Sequence, residues 1–370
     1  MTNVLVTGAK GFIGKNLVLA LSRIDSVSVQ EFDIGDGEEK LRAGISGADI
    51  IFHLAGVNRP QNPEEFRAGN VDLTERILEL LRDRRDAPPI IMTSSIQAEL
   101  DNPYGVSKKG AEEAMRKYGA ETGNRICIYR LPNVFGKWCR PFYNSVVATF
   151  CHNLSHNEAI TVTDTSREIN FIYIDDVVAN LKQHLSGNFA YQSEPIVPGP
   201  SYTTTLGNLA AILTKCRDVR NGGLLPDFSD KLEKYLYSTF LSYYDKQDIL
   251  YRADKKEDQR GYLFELIKTK GAGQIFVSRT LPGITRGNHY HDTKVEKFCV
   301  LEGSAIIRLR NMVSGDTNEL HVEGTDCKIV DIPPGWTHNI TNIGKTDLIT
   351  LFWANEVFNP ECPDTYFNEV

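Results

Sequence analysis

Apolar and polar positions along the 370-residue chain fall into two regimes. In the first, short apolar runs alternate with stretches whose apolar residues recur every three or four positions. Val4-Leu5-Val6, Ile50-Ile51-Phe52 and Ile90-Ile91-Met92 are continuous runs of the kind found in a parallel sheet covered on both faces. Phe12, Ile13, Leu17 and Leu21 repeat with a helical period. Strand, helix, strand in that order predicts an α/β domain with a doubly wound parallel sheet. The second regime starts near Tyr262, where the runs at 273–278, 305–310, 328–332 and 348–353 are short and separated by Gly, Asn and Pro. Many short strands and little helix predict an all-β sandwich or closed barrel. Between the regimes lies a seam at 222–257: a Gly-Gly-Leu-Leu-Pro stretch, an amphipathic segment bearing Tyr235, Tyr237, Phe240, Tyr243 and Tyr244, and a charged run from Arg252 to Asp258. The aromatic stripe reads as a docking helix and the charged run as solvated. The expected boundary is at 245–255, giving domains at 1–245 and 246–370.

Composition narrows the function classes. Hydrophobic residues make up 41% of the chain, enough for packed cores. Lys plus Arg number 41 and Asp plus Glu 48, a net charge of 41 − 48 = −7 without a basic run. That argues against nucleic acid as partner and leaves room for a small anionic ligand held by local donors. The seven cysteines form no CxxC pair and read as reduced thiols. No apolar run approaches the roughly 20 residues of a membrane helix, and no signal peptide is evident, so a cytoplasmic location is expected.

Candidate chemistry begins at Gly8, Gly11 and Gly14, spaced three apart between the first strand and the first helix. A glycine turn in this position lets the backbone close on a pyrophosphate at the helix N-terminus. Asp33, about twenty residues beyond, suits a ribose hydroxyl. The GxxGxxG spacing, His53-Leu54-Ala55, Asn70-Val71, the hydroxyls of Thr93-Ser94-Ser95, Tyr104-Gly-Val-Ser-Lys108, Arg130-Leu-Pro-Asn133 and Arg167 to Asp176 occur in that order. Together they resemble the extended short-chain dehydrogenase/reductase family, with a Rossmann-type fold, over roughly residues 1–240. The resemblance implies that Gly8, Gly11, Phe12, Ile13, Gly14, Asp33, Leu54, Ala55 and Lys108 line a nicotinamide cofactor. NADPH is the expected cofactor, with NADH an alternative. It further implies that Asn133 and Arg167 contact a nucleotide sugar. Asp175-Asp176 reads as a helix cap rather than a metal site.

Tyr104 and Lys108 lie four apart and share a helix face. A neighbouring ammonium is expected to lower the tyrosine's pKa and make it a proton donor to a substrate oxygen, with Ser95 or Ser94 bonding the same oxygen. The family's 4,6-dehydratases follow that hydroxyl with Asp-Glu; Ile96-Gln97 stand here, so water elimination is not expected and hydride transfer remains.

In the second half, Gly283, His289, His291, Glu296 and Gly303 are followed by Pro333, Gly335, His338 and Asn342. Residues two apart on a strand share a face, so His289 and His291 project together. With Glu296 and His338 they complete a His/Glu metal-ligand set, for which zinc is the expected ion. Both motifs resemble the cupin superfamily over roughly 255–370, although Cys327 replaces an expected turn glycine. Asp258 to Glu265 and Arg286-Gly287-Asn-His289 resemble the dTDP-sugar 3,5-epimerases and ketoisomerases. That resemblance gives His289 a second reading as an acid–base group and makes Arg286 a substrate contact.

Both halves therefore point to a sugar ketone. The fusion resembles bacterial capsule and O-antigen enzymes. It implies a bifunctional homodimeric enzyme that epimerises a UDP-4-keto-6-deoxy-N-acetylhexosamine, at C3, and reduces its C4 ketone. Two alternatives stand beside it: a reductase with a structural cupin, and a nucleotide-sugar 4-epimerase holding NAD.

Overall fold

The computed structural model describes residues 1–187, 189, 191–221, 225–252, 255–258, 261–264, 273–356 and 361–370. Of the sequence features above, Gly222-Gly223-Leu224, Ala253-Asp254, Gln259-Arg260 and Glu265 lie outside the described residues. The chain forms two compact units. One comprises Met1–Phe135, Tyr143–Ser145 and Ile169–Thr203; the other comprises Gly136–Phe142, Val146–Glu168 and Thr204–Val370. No helix among the described residues is long and apolar enough to cross a membrane.

The first unit starts with β1 (Thr2–Thr7), α1 (Phe12–Leu21), β2 (Val27–Phe32), α2 (Glu38–Gly47), β3 (Ile50–His53) and α3 (Glu64–Phe66). It continues with α4 (Leu73–Arg82), β4 (Ile90–Ser95), α5 (Pro103–Thr122), β5 (Ile126–Leu131) and β6 (Asn133–Phe135). The five-stranded sheet is parallel throughout, in the order β2-β1-β3-β4-β5. Alternate residues of each strand feed opposite cores. Val4, Val6, Ile50, Phe52 and Ile91 pack with Leu17 and Leu21, whereas Leu5, Ile51, Ile90 and Met92 pack with Ile77, Leu81 and Met115. Covering both faces is why the strands read as unbroken apolar runs. Strand order reverses between β1 and β3, which opens a crevice at their carboxyl ends, the usual ligand position in such sheets.

After α6 (Val146–Ser155) come β7 (Glu168–Tyr173), α7 (Ile174–Lys182) and β8 (Tyr202–Thr205). Asp175 and Asp176 do not cap α7 as expected: the cap position is Tyr173, and no side chain bonds there. The two carboxylates sit in the first turn, where the helix dipole favours them.

The second unit takes α6, α8 (Leu206–Asp218), α9 (Lys231–Leu241), β9 (Leu250–Arg252), β10 (Lys255–Asp258) and β11 (Gly261–Phe264). Its remaining strands are β12 (Gln274–Thr280), β13 (Thr285–Tyr290), β14 (Glu296–Glu302), β15 (Ser304–Asn311), β16 (Thr317–Glu323), β17 (Lys328–Ile332), β18 (Trp336–Asn342), β19 (Leu348–Ala354) and β20 (Tyr366–Phe367). Two antiparallel five-stranded sheets, β12-β19-β14-β17-β9 and β16-β15-β18-β13-β20, enclose a core that includes Phe298, Val330, Phe352, Ile307, Leu309 and Ile340. This is the all-β double sheet that the alternating runs predict, in the cupin-like arrangement that the motif resemblance implies. Cys327 adopts φ 43°, so the turn that glycine would make is kept by a residue rarely found in that conformation.

A buried polar cluster joins segments upstream of residue 245 to the strands. Asp331 accepts from Lys297 Nζ at 2.5 Å and from Arg220 Nη2 at 2.6 Å, with almost no side chain exposed on Asp331 or Lys297. The Arg220 guanidinium lies 3.5 Å from the Tyr244 ring centroid and 4.7 Å from that of Tyr251. Phe228 bridges Tyr237 and Trp353 at 5.6 and 5.7 Å. The aromatic stripe thus packs within this unit. Burial pushes the Asp331 carboxyl up, but Lys297 and Arg220 outweigh it and hold the group below its ordinary value. Replacing Asp331 by Asn leaves two buried cations under-compensated and should cost about 3–5 kcal/mol in urea unfolding. Asp326→Asn, whose partners Lys328 and Arg252 are nearer solvent, should leave the urea midpoint unchanged.

Candidate active site and metal-binding cluster

The glycine turn closes β1 onto the end of β3. Gly8 has φ +69°, and a Cβ there would lie 2.7 Å from Ala55 N and 2.9 Å from Leu54 C. Only glycine allows that approach. Helix α1 begins at Phe12 after Gly11, and no side chain caps it, so its first-turn N–H groups remain for a ligand in the crevice. Ile13 is half-buried against the β1 core, and Gly14 is buried. These features fit a dinucleotide pyrophosphate. Asp33 follows β2, and its two oxygens accept backbone N–H groups of Lys10 (2.5 Å) and Ile34 (2.8 Å).

The proposed acid–base group stands on α5. Asn102 accepts from Gly105 N at 2.9 Å and Pro103 opens the helix, which fixes Tyr104 in the first turn and Lys108 one turn on. Tyr104 lies beside Ser95, the last residue of β4, whose hydroxyl acts to lower the phenol's pKa. Lys108 is buried, with Nζ donating to Thr93 O at 3.1 Å. It also stands 3.1 Å from where a Gly56 Cβ would be, so the ammonium lies against the segment after β3. The expected effect of Lys108 on Tyr104 is not what dominates. Burial raises the phenol above its ordinary pKa, Ser95 opposes, and nearby Tyr143 adds to the rise. Burial likewise brings Lys108 down to about 8, with Glu112 acting in the other direction.

The structure separates the two candidate serines. Ser94 Oγ donates to Glu112 Oε1 at 2.5 Å, away from Tyr104, while Ser95 Oγ faces Tyr104 and accepts from Gln97 N at 3.1 Å. Strand alternation predicts that the two oppose each other, yet α5 meets both: Glu112 takes Ser94, which leaves Ser95 to Tyr104.

The structure also places the other polar residues of the sequence motifs. Asn70 bonds both backbone atoms of Val57 and donates to Ser107 Oγ at 2.9 Å. His53 lies between Thr7 Oγ1 (2.8 Å) and Thr74 Oγ1 (2.9 Å). Thr74 donates onward to Asn70 O, so it accepts from His53 Nε2–H, and His53 Nδ1 accepts from Thr7. Burial, reinforced by Lys108, brings His53 down to about 3 and keeps it neutral. Asn133 is exposed and donates to Asn170 O at 3.1 Å; Arg167 is exposed ahead of β7.

In the second unit, His289 on β13 pairs with His338 on β18, while Glu296 opens β14 in the other sheet. A register shift between Gly287 and His289 re-aims the strand. The ring centroids of His289 lie 5.0 Å from His291 and 4.6 Å from His338. Ligand atoms of His289, His291, Glu296 and His338 all lie within 4.8 Å of one another. Glu296 Oε2 is 3.1 Å from His291 Nε2 and 3.2 Å from His338 Nε2. The His338 contact lacks hydrogen-bond alignment, which leaves that fully buried nitrogen without a hydrogen-bond partner. Buried imidazole nitrogen is rarely left so, and a cation between the three histidines and the carboxylate would satisfy it. The donor set therefore fits a divalent ion.

His291 Nδ1–H donates to Asp364 O, so in the neutral ring Nε2 is the nitrogen free to ligate an ion. The Asp364 carboxylate accepts from the backbone N–H groups of Asp292, Thr293 and Lys294 at 2.7–2.8 Å and clamps the turn between two of the candidate ligands. Burial lowers His289 to about 4. Burial also acts to lower His291, but Glu296 outweighs it and holds it above its ordinary value; Glu296 itself lies well below the carboxylate range. Arg286 donates to Thr280 Oγ1 at 3.0 Å and Arg279 O at 3.2 Å. Tyr290, on the opposite strand face, is buried against Tyr366.

Residues 4–186 match the NAD dependent epimerase/dehydratase family, and residues 256–366 match the polysaccharide biosynthesis C-terminal domain. The chain is 43% identical over 363 residues to UDP-2-acetamido-2,6-beta-L-arabino-hexul-4-ose reductase of Pseudomonas aeruginosa, covering 98% of this chain and 97% of that protein. It is similar to the crystal structure of the capsular polysaccharide assembling protein CapF from Staphylococcus aureus, with 44% identity, TM-score 0.68 and full coverage of both chains. A UDP-glucuronic acid 4-epimerase from Bacillus cereus shares the fold at 18% identity and TM-score 0.57, over 66% of this chain. The chain thus belongs to the two-part polysaccharide-biosynthesis enzymes in which an NAD-dependent epimerase/dehydratase domain precedes a polysaccharide biosynthesis C-terminal domain.

Proposed function

We propose that this protein reduces the C4 ketone of a UDP-4-keto-6-deoxy-N-acetylhexosamine and that its cupin-like barrel first epimerises the adjacent carbon, at C3. The product would be a UDP-6-deoxy-L-talosamine-type precursor of L-fucosamine. One observation carries the reading: Tyr104 beside Ser95 with the buried Lys108 one turn on, at the carboxyl edge of the sheet and without an acid–base pair at Ile96-Gln97. The sugar named for the Pseudomonas aeruginosa relative supports the substrate class.

The glycine turn, Leu54, Ala55 and Lys108 would hold a reduced nicotinamide, which would supply hydride. Ser95 holds the ketone oxygen by its hydroxyl. Tyr104, protonated because burial raises its pKa, donates its proton as that oxygen gains charge, and Lys108 steadies the phenolate left behind. NADPH is favoured over NADH, because both oxygens of Asp33 already accept backbone N–H groups and have less to offer a ribose hydroxyl. Asn133, Arg167 and Arg286 are proposed substrate contacts.

In the barrel, a zinc ion held by His291, Glu296, His338 and His289 would supply Lewis acidity toward a carbonyl. His289 is the least buried of the four and neutral at working pH, so it can serve either as the fourth ligand or as the base that takes the proton beside the ketone. Proton return to either face is nearly balanced; reduction of the ketone removes the acidity and fixes the new configuration. The homodimer implied by the family resemblance is checked by sedimentation.

Tyr104→Phe should lower kcat for NADPH-dependent ketone reduction by about 10²–10⁴ with KM little changed, followed by loss of NADPH absorbance. Cofactor that copurifies in the oxidised form would instead favour a 4-epimerase. Incubated with the keto sugar in D₂O without nicotinamide, the protein should place deuterium beside the ketone. No uptake would reduce the barrel to a structural module. His289→Ala should abolish uptake; metal retained in that variant identifies a base, and metal lost identifies a ligand. Asp364→Ala should weaken metal retention by about 10–100-fold in chelator competition.

A further inference from the structure

Glu112 lies on α5 one turn beyond Lys108 and two beyond Tyr104, and it is fully buried. Its Oε1 accepts from Ser94 Oγ at 2.5 Å and Arg130 Nε at 2.9 Å; its Oε2 accepts from Arg130 Nη2 at 2.7 Å. Ser94 and Arg130 are register partners on β4 and β5. One carboxylate therefore ties the helix that carries Tyr104 to two adjacent strands, at the residue before Ser95. The outer side of Arg130 meets the exposed Glu99 at 2.7 Å.

Glu112, four residues on, shares a helix face with Lys108. Around Lys108, from β3 comes His53, held neutral by burial; from β4, the Thr93 carbonyl; from the chain between β3 and α4, Gly56 and the Asn70 amide; on α5 itself, the protonated Tyr104. Glu112 acts to raise Lys108 against burial.

We propose that Glu112, clamped by Arg130, is a positioning residue for the reduction: it sets Ser95 against Tyr104 and supplies the counter-charge of the Lys108 ammonium. The proposal rests on reading Ser95, Tyr104 and Lys108 as the reducing site. It is tested by the pH profile of kcat/KM for NADPH-dependent reduction of the keto sugar by the full-length protein. Wild type, Glu112→Gln, Glu112→Asp and the double variant Glu112→Met with Arg130→Met are compared, with folding checked by thermal melts. The alkaline limb should move about one pH unit towards acid in Glu112→Gln and stay in place in Glu112→Asp; in the double variant, which removes the opposing Arg130 charge as well, it should move less. A structural role alone predicts that Glu112→Gln loses rate without moving the limb. An unshifted limb in Glu112→Gln, or a shifted limb in Glu112→Asp, overturns the proposal. Should neither uncharged variant fold, Glu112→Asp decides it by that criterion. Tyr104→Phe in the same assay separates the two levels: retained reduction sinks the site reading itself, whereas its loss beside an unshifted Glu112→Gln limb sinks only the role of Glu112.

Discussion

A charge moved out of water must meet an opposite charge or enough donors, and the cost of failing is several kcal/mol per ion. Both units are arranged around that constraint. In the first, the buried Glu112 carboxylate is closed by Arg130 one helical turn beyond the buried Lys108, at the edge where the sheet opens. In the second, Lys297 and Arg220 close on Asp331, with Tyr251 and Tyr244 supplying ring faces and a phenol oxygen. The histidine cluster differs. Glu296 draws in two imidazoles, yet the His338 nitrogen is left unsatisfied in a fully buried position. Where the other clusters are closed by the protein's own side chains, this one leaves a buried nitrogen that a cation would satisfy.

What could be read from the chain follows from sequence distance. Gly8, Gly11 and Gly14 act on a turn a few residues long, and Tyr104 and Lys108 share one turn of helix. His289 and His291 need only strand alternation to face the same way. Each was legible because its geometry is local. The choice between Ser94 and Ser95 was not, since it is made by Glu112, 18 residues on. Asp364, which clamps the turn between His291 and Glu296, is some 70 residues from its partners and belongs to no motif. The pKa of Tyr104 was misjudged for a related reason: a neighbouring ammonium can be read from spacing, but the burial that outweighs it cannot. Cys327 shows the reverse case, a missing glycine whose turn survives at φ 43° because the surrounding strands impose it.

Sequence also blurs which helices go with which core. Helices α6, α8 and α9 precede residue 245 but fold with the strands of the second unit, because their anchoring contacts are side chains far apart in the chain. Arg220 and Asp331 are separated by 111 residues, and Lys234 and Glu356 by 122.

The Arg220–Asp331–Lys297 cluster also limits how such a protein can be recombined. The two matched segments, 4–186 and 256–366, suggest that barrels could be exchanged between relatives by a crossover near residue 250. Such a chimera would bring Asp331 and Lys297 without the Arg220 and Tyr244 that complete them, and would leave Arg220 of the recipient between one tyrosine and a stranger's surface. The portion that can be inherited whole therefore begins upstream of Arg220, and lineages that trade this barrel are expected to trade that helical segment with it.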